Sequence, residues 1–166
     1  MSLASSAYIS AANPLDIVEE IVSANEWAFD RTSEDEMIVD FPGQWCGYHM
    51  HFSWHGDFGA MHYSCALDMK VPKNRLAAVY ELLCHINGRM WLGHFDLSTE
   101  ERLPIFRQTA LYRGSNGASV EQLEDLVDIA LTECERFYPA FQFVIWGGKG
   151  PNEAIAAAML DTVGEA

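Results

Sequence analysis

Residues 46–69 alternate between apolar and polar side chains on both sides of a short segment that contains Gly56 and Gly59. Two alternating runs around a glycine-containing turn predict a β-hairpin. One face of this hairpin would carry Cys46, Tyr48, Met50, Phe52, Trp54, Met61, Tyr63, Cys65, Leu67 and Met69. Full burial of such a side chain is favourable by roughly 1.5–3 kcal/mol. The hairpin therefore predicts a sheet whose apolar face is covered by other elements.

The opposite face of the hairpin is polar and carries His49, His51, Ser53, His55, His62, Ser64 and Asp68. A two-residue turn at Gly56 and Asp57 would set His51 directly opposite His62, with Cβ atoms about 4.5–5.5 Å apart. A four-residue turn would set Ser53 opposite His62 instead. Zinc sites usually use three or four ligands at fixed spacing, and this spacing is missing. We therefore predict no metal site, and name His51, His62 and His49 as the candidate ligands if a metal were bound.

Two shorter strands precede the hairpin and two follow it. Residues 27–31 and 36–41 predict a first pair of strands across a turn at 32–35. Residues 90–97 and 103–112 predict a second pair across 98–101, with Pro104 near a strand end, where proline is tolerated. The predicted strands are connected by short turns, which favours an antiparallel arrangement.

Helices are predicted before, between and after these strands. The first begins at Asn13, with an apolar stripe of Leu15, Val18, Ile21 and Val22. The second begins at Pro72, with Leu76, Val79, Leu83 and Ile86 as its buried stripe, and Gly88 is predicted to end it in the left-handed conformation.

The third helix begins at a capping box formed by Ser119 and Gln122. Its apolar positions recur at steps of four and three: Leu123, Val127, Ala130, Cys134, Phe137, Phe141 and Val144. This rhythm crosses Pro139 in phase, although a proline inside a helix costs about 3 kcal/mol. We therefore predict a kinked helix up to Trp146. The alternative is a strand over 140–146, because Phe, Val, Ile and Trp favour strands.

The chain of 166 residues is long enough for one core. We predict a mobile arm over residues 1–12, a single domain over 13–146, and a glycine-rich break with a short helix over 147–166. The element order α-ββββ-α-ββ-α predicts an α+β two-layer domain, with an antiparallel sheet of about six strands and helices on one side.

The net charge of −14 is concentrated in the flanks of the chain. Residues 1–45 hold nine acidic residues and one arginine, and residues 119–166 hold nine acidic and two basic residues. Acidic flanks repel nucleic acid and anionic membranes, so neither is an expected partner. Residues 1–12 contain no basic residue and no long apolar run, which predicts no signal peptide and hence the cytoplasm.

The residues that could carry catalysis do not form a recognisable site. Cys46, Cys65, Cys84 and Cys134 each lie on an apolar stripe, which predicts buried free thiols. Adjacent residues on a helix point about 100° apart, so Cys84 and His85 do not form a dyad. Residues 147–150 lack the Gly-Lys-Ser/Thr ending of a phosphate loop. Trp45, Trp91 and Trp146 are predicted to lie mostly in the core, although one at a rim could contact a partner.

Several segments resemble a known family. They are residues 13–20, 75–87, 92–97, 106–111 and 138–148. Together they resemble the YbjN-like family of bacterial sensory-transduction regulators, over about residues 13–160. The resemblance implies a fold similar to class I type III secretion chaperones, often as a homodimer, with no enzyme activity and no cofactor. The resemblance does not explain the role of the extra segment over residues 147–166.

We therefore predict a non-enzymatic cytoplasmic protein-interaction module: a chaperone-like or regulatory homodimer in bacterial signalling that binds a protein or peptide client. Apolar side chains outside the main apolar face include Ile38, Phe58, Trp91, Phe106 and Tyr112, and the contact surface would use those that no helix of the chain covers. The acidic flanks favour clients with basic residues around an apolar stripe. The alternative is a small-molecule or metal-sensing domain that uses the histidine-bearing face of the 46–69 hairpin.

Overall fold

The computed structural model describes residues 11–163, with side chains over 11–160, so most of the predicted N-terminal arm lies outside the described residues. Six strands form one antiparallel sheet in the order β1-β2-β3-β4-β6-β5. The strands are β1 Phe29–Ser33, β2 Glu36–Pro42, β3 Gly47–His55, β4 Ala60–Ala66, β5 His94–Leu97 and β6 Pro104–Leu111. The helices are α1 Leu15–Ala24, α2 Leu76–Asn87, α3 Val120–Ile145 and α4 Pro151–Val163. The predicted α+β fold class is confirmed.

The central hairpin is formed by β3 and β4, and it presents its apolar face to the core as predicted. Buried along it are Tyr48, Met50, Phe52, Trp54, Met61, Tyr63 and Cys65, followed by Leu67 and Met69 beyond β4. The hydroxyl of Tyr63 donates a hydrogen bond to the carbonyl of Leu126 on α3, at 3.1 Å. This bond joins the sheet to the helix that covers it.

The long helix α3 follows the predicted rhythm throughout. The Ser119 hydroxyl accepts from the Gln122 N–H at 3.1 Å, and the Gln122 side chain accepts from the Ser119 N–H at 2.9 Å. The helix continues through Pro139 to Ile145. The helical interpretation is therefore confirmed, and a strand over 140–146 is wrong. Phe141 lies 5.4 Å from Phe95 between ring centroids, and such core packing outweighs local strand preference.

The second helix differs from its prediction at both ends. Pro72 has an extended conformation and precedes a 3₁₀ turn over Lys73–Arg75, so α2 begins at Leu76. Gly88 has a φ of −64°, so the predicted left-handed conformation is wrong. The chain continues instead in right-handed turns, in which the Arg89 N–H donates to the Ile86 carbonyl at 2.9 Å.

The buried face of α2 consists of Val79, Leu82, Leu83 and Ile86. Leu76 is only half-buried. Cys84 points away from this face and is exposed, so its predicted burial is wrong. Cys65 and Cys134 are buried and Cys46 is half-buried, all as free thiols.

The aromatic residues outside the hairpin are distributed differently from the prediction. Trp45, Trp91 and Trp146 are exposed at 42%, 90% and 60%, so their assignment to the core is wrong. Conversely, Phe106 and Tyr112 are buried and cannot serve as a contact surface. Their partners explain this: Phe106 packs against Tyr63 and Phe95, and Tyr112 packs against Trp54.

The C-terminal helix α4 packs against α2 and α3 and buries Ala154, Ile155 and Ala158. Arg75 strengthens this corner, because its guanidinium donates to the carbonyls of Val144 and Lys149, each at 2.8 Å. The division of the chain into an arm, a domain and a C-terminal segment stays a prediction.

Candidate functional site

The outer face of the sheet, away from the core, gathers five of the six histidines of the protein. We call it the histidine face, and it carries His49, His51, His55, His62 and His94. One row of paired residues crosses five strands as Ile38, His51, Ser64, Arg107 and His94. A neighbouring row contains Glu36, Ser53, His62 and Thr109. Sequence alternation predicted four of these histidines on one face, and the position of β5 adds His94.

The register of the central hairpin decides how the candidate ligands meet. The turn between β3 and β4 spans four residues, 56–59, and it sets His62 opposite Ser53 and His51 opposite Ser64. His51 and His62 are therefore diagonal neighbours instead of a direct pair. Within residues 11–160, no three His, Cys, Asp or Glu side chains are grouped so that they could hold a metal ion.

Most of the histidines on this face contact a polar neighbour. His49 Nδ1 lies 2.5 Å from Asp40 Oδ1, and His51 Nε2 lies 4.0 Å from Glu36 Oε2. His62 Nδ1 lies 3.0 Å from the Thr109 hydroxyl. These contacts orient the imidazole rings on the surface of the sheet. The two ion pairs, His49 with Asp40 and His51 with Glu36, are exposed to solvent and therefore add little stability.

The surroundings of His62 change the pKa of its imidazole. Partial burial lowers its pKa, and the positive charge of Arg107 and the nearby His55, His51 and His94 lower it further. Histidines with ordinary pKa values change charge between pH 5 and 8. His62 therefore gains its proton at a lower pH than a histidine in open solution does.

A second candidate site lies in the loop between α2 and β5, and the sequence prediction assigned this loop to a strand. It is a pocket of about 210 Å³ next to Trp91, and we call it the Trp91 pocket. Its lining consists of Arg89, Met90, Trp91, Leu92, Ile129, Glu133 and Arg136. A sequence signal for this loop does exist, since glycines at 88 and 93 flank these residues on both sides.

The backbone on both sides of Trp91 is held firmly. Asn87 Nδ2 donates to the Phe95 carbonyl at 2.9 Å, and its Oδ1 accepts from the Phe95 N–H at 2.8 Å. Gly93 has a φ of +68°, and a Cβ there would lie 2.4 Å from the Phe106 ring. Only glycine fits this position. Trp91 is therefore exposed on an ordered loop, although an indole of its size usually packs inside a protein.

The other segments considered from the sequence have structural roles. His85 lies 3.7 Å from Glu81 on the same helix. In residues 147–150, the Lys149 N–H donates to the Phe143 carbonyl at 2.9 Å, and Lys149 Nζ lies 3.6 Å from Glu153. This segment therefore ends α3 and leads into α4. Among the described residues, no helix combines the length and the apolar character needed to cross a membrane.

Comparisons with known proteins agree with this architecture. The sequence model of the YbjN family, described as "Putative bacterial sensory transduction regulator", matches residues 14–143. A solved structure described as "Crystal structure of YbjN, a putative transcription regulator from E. coli" is similar with a TM-score of 0.53 and 14% identity. The similarity covers 76% of this chain and 90% of that one. At this identity it shows the fold alone. No curated protein matches the sequence.

Proposed function

The chain belongs to the YbjN family, and on this basis we propose that it is a non-enzymatic regulatory protein of the cytoplasm that acts as a homodimer and binds a segment of another protein. The family description as a sensory-transduction regulator supports the regulatory part. The part that concerns protein binding depends on the exposed apolar surface. The chaperone-like character follows from the resemblance of the sequence alone.

The observation that carries the proposal is the exposure of large apolar side chains at defined places. Phe58, in the turn between β3 and β4, is 75% exposed, and Leu111, at the end of β6, is 74% exposed. Both lie at one end of the sheet, because Ala60 pairs with Leu111 and the Tyr112 N–H donates to the Gly59 carbonyl at 2.7 Å. Exposed apolar residues that occur together, with polar residues around them, are typical of protein-binding surfaces.

The charge of the molecule favours one class of client. At a net charge of −14, the protein attracts segments that carry lysine or arginine around an apolar stripe. A client could add as a strand to an edge of the sheet or lie as a helix in a groove. Edge addition is easier at β1, because the Phe95 backbone on the opposite edge strand is already bonded to the side chain of Asn87.

The test combines mass measurement with a matched pair of baits. Light scattering at micromolar concentration should give about twice the mass of the chain. The wild-type protein is immobilised on a support and incubated with a lysate of its native cells at low salt, and it should retain a client. Added salt should release this client, because salt screens the attraction between the charges. A Phe58→Ser/Leu111→Ser variant should fold, because both side chains are exposed, and should fail to retain that client. A strict monomer that retains nothing would refute the proposal.

One observation favours a second candidate function, a small-molecule or metal sensor. Five histidines share one face, and His62 has His51, His55 and His94 among its neighbours. Elemental analysis distinguishes the two functions. We expect no stoichiometric metal in the purified protein. One metal per chain, lost in a His51→Ala/His62→Ala variant, would favour the sensor.

A further inference from the structure

The surface around Trp91 combines a projecting side chain with a hole of matching character. The Trp91 side chain is 90% exposed, and the pocket that it helps to line also contains the apolar side chains of Met90, Leu92 and Ile129. A projection and a hole that lie side by side on one surface can fill each other when two copies meet about a two-fold axis. Each copy then inserts its projection into the hole of the other.

The polar atoms of the pocket also match an indole. A buried tryptophan needs an acceptor for its Nε1–H. Glu133 lines the pocket, and its Oε2 is buried without a hydrogen-bond partner among the described residues. Arg136 Nη1, at 3.6 Å from this oxygen, forms an ion pair but lies beyond hydrogen-bond distance. The Glu133 side chain can thus supply an acceptor once it turns toward the pocket, and the projecting Trp91 side chain brings a donor.

The negative charge of the protein is weaker at this surface than elsewhere. Each copy carries a net charge of −14, so most contacts between copies are repulsive. The pocket lining does not add to this excess of negative charge, because it contains Arg89 and Arg136 against the single carboxylate of Glu133. The loop adds a further advantage, because hydrogen bonds of Asn87 and the turn at Gly93 already hold its backbone, which then loses little freedom on binding.

We propose that the Trp91 pocket is the homodimer contact, in which Trp91 of each protomer inserts into the pocket of its partner and its indole N–H donates to a Glu133 carboxylate. The occupant is a second copy of this chain. This inference rests on the homodimer of the proposed function and names its interface. Tryptophan is among the residues that most often dominate such interfaces.

Sedimentation equilibrium over a concentration series is the test. Trp91→Ala should raise the dissociation constant of the dimer at least about 30-fold, because a central tryptophan typically contributes that much. Trp91→Phe keeps an aromatic ring but removes the N–H and part of the apolar surface of the indole, so it should weaken the dimer less than alanine does. Glu133→Leu should weaken the wild-type dimer but should add little to the effect of Trp91→Phe. Trp146→Ala is the matched control, since it removes another exposed tryptophan that does not line the pocket. Circular dichroism checks that each variant is folded.

Every outcome decides the matter. A dimer that is weakened by Trp91→Ala and unaffected by Trp146→Ala supports the inference. A wild-type dimer that Trp91→Ala leaves intact, or that both alanine variants weaken equally, overturns it and leaves the homodimer standing. A monomeric wild-type protein overturns both. If that monomer retains a lysate protein that Trp91→Ala does not, the pocket binds a different protein and the second copy is the wrong occupant.

Discussion

Asn87 ends α2 and also closes the outer edge of the sheet, so its replacement tests how the two layers are joined. Its side chain pairs with both the N–H and the carbonyl of Phe95, at 2.8 and 2.9 Å. Phe95 itself is buried. Asn87→Ala leaves both backbone groups unpaired, and each buried unpaired group costs about 1–3 kcal/mol. Because Asn87 is half-buried and water can replace part of the contact, we expect a total loss of about 2–4 kcal/mol in the free energy of unfolding.

Urea denaturation followed by far-UV circular dichroism measures this loss, with an unchanged m-value as evidence that the unfolded state is unaffected. Asn74→Ala is the matched control, since Asn74 is exposed in the 3₁₀ turn before α2 and should change stability by less than about 0.5 kcal/mol. If Asn87→Ala were as stable as Asn74→Ala, the two hydrogen bonds would not hold β5 against α2. The ordered position of Trp91 would then lose its main support.

Three further predictions concern the core, the helical corner and the histidine face. Phe52→Ala should lower the free energy of unfolding by about 3–5 kcal/mol, because it leaves a cavity in the core. His49→Ala should change that free energy by no more than about 0.5 kcal/mol. A larger effect at His49 than at Phe52 in the same urea titration would mean that the faces of β3 are inverted. Arg75→Ala removes two hydrogen bonds, one to a carbonyl at the end of α3 and one to a carbonyl in the loop after it. Hydrogen exchange of the α4 amides should therefore become faster. Unchanged exchange would mean that Arg75 does not hold α4 against the rest of the domain. Because the pKa of His62 is lowered on folding, the unfolded chain binds a proton more readily, and stability should fall as the pH drops below about 6.5. Melting temperatures of the wild-type protein and of His62→Gln should be measured between pH 5 and 8, and the melting temperature of the variant should depend less on pH. An identical pH dependence in the two proteins would refute the lowered pKa of His62 as its cause.

The faces of the central hairpin could be predicted because burial follows a period of two along a strand. Its register could not, because that depends on the length of the turn. Glycines at 56 and 59 are compatible with either a two-residue or a four-residue turn, and the difference of two residues moves the partner of His62 from His51 to Ser53. The same alternation therefore predicts the polar face correctly but does not decide which side chains meet there.

The errors in α2 and among the tryptophans have a related cause. Periodicity indicates a buried stripe but does not fix its width, so Leu82 was missed and Cys84 was wrongly included. Large aromatic residues are mostly buried, and this rule wrongly placed Trp91 in the core. What decides its exposure is not its own type. It is the loop geometry set by Asn87 and Gly93.

Both candidate sites arise where separate elements come together, and this explains why patterns within one element could not reveal them. The histidine face needs the relative register of five strands, including β5, which is distant in sequence from the hairpin. The Trp91 pocket needs the loop after α2 to lie against Ile129 and Glu133 of α3. Such contacts depend on α3 continuing through Pro139, because its C-terminal part packs against Phe95 and holds β5 in place. The helix α3, which could be predicted from its apolar rhythm, thus positions the loop around Trp91, which could not be predicted. In this protein, exposed apolar side chains on such a loop point to a binding surface more directly than patterns within one helix or strand do.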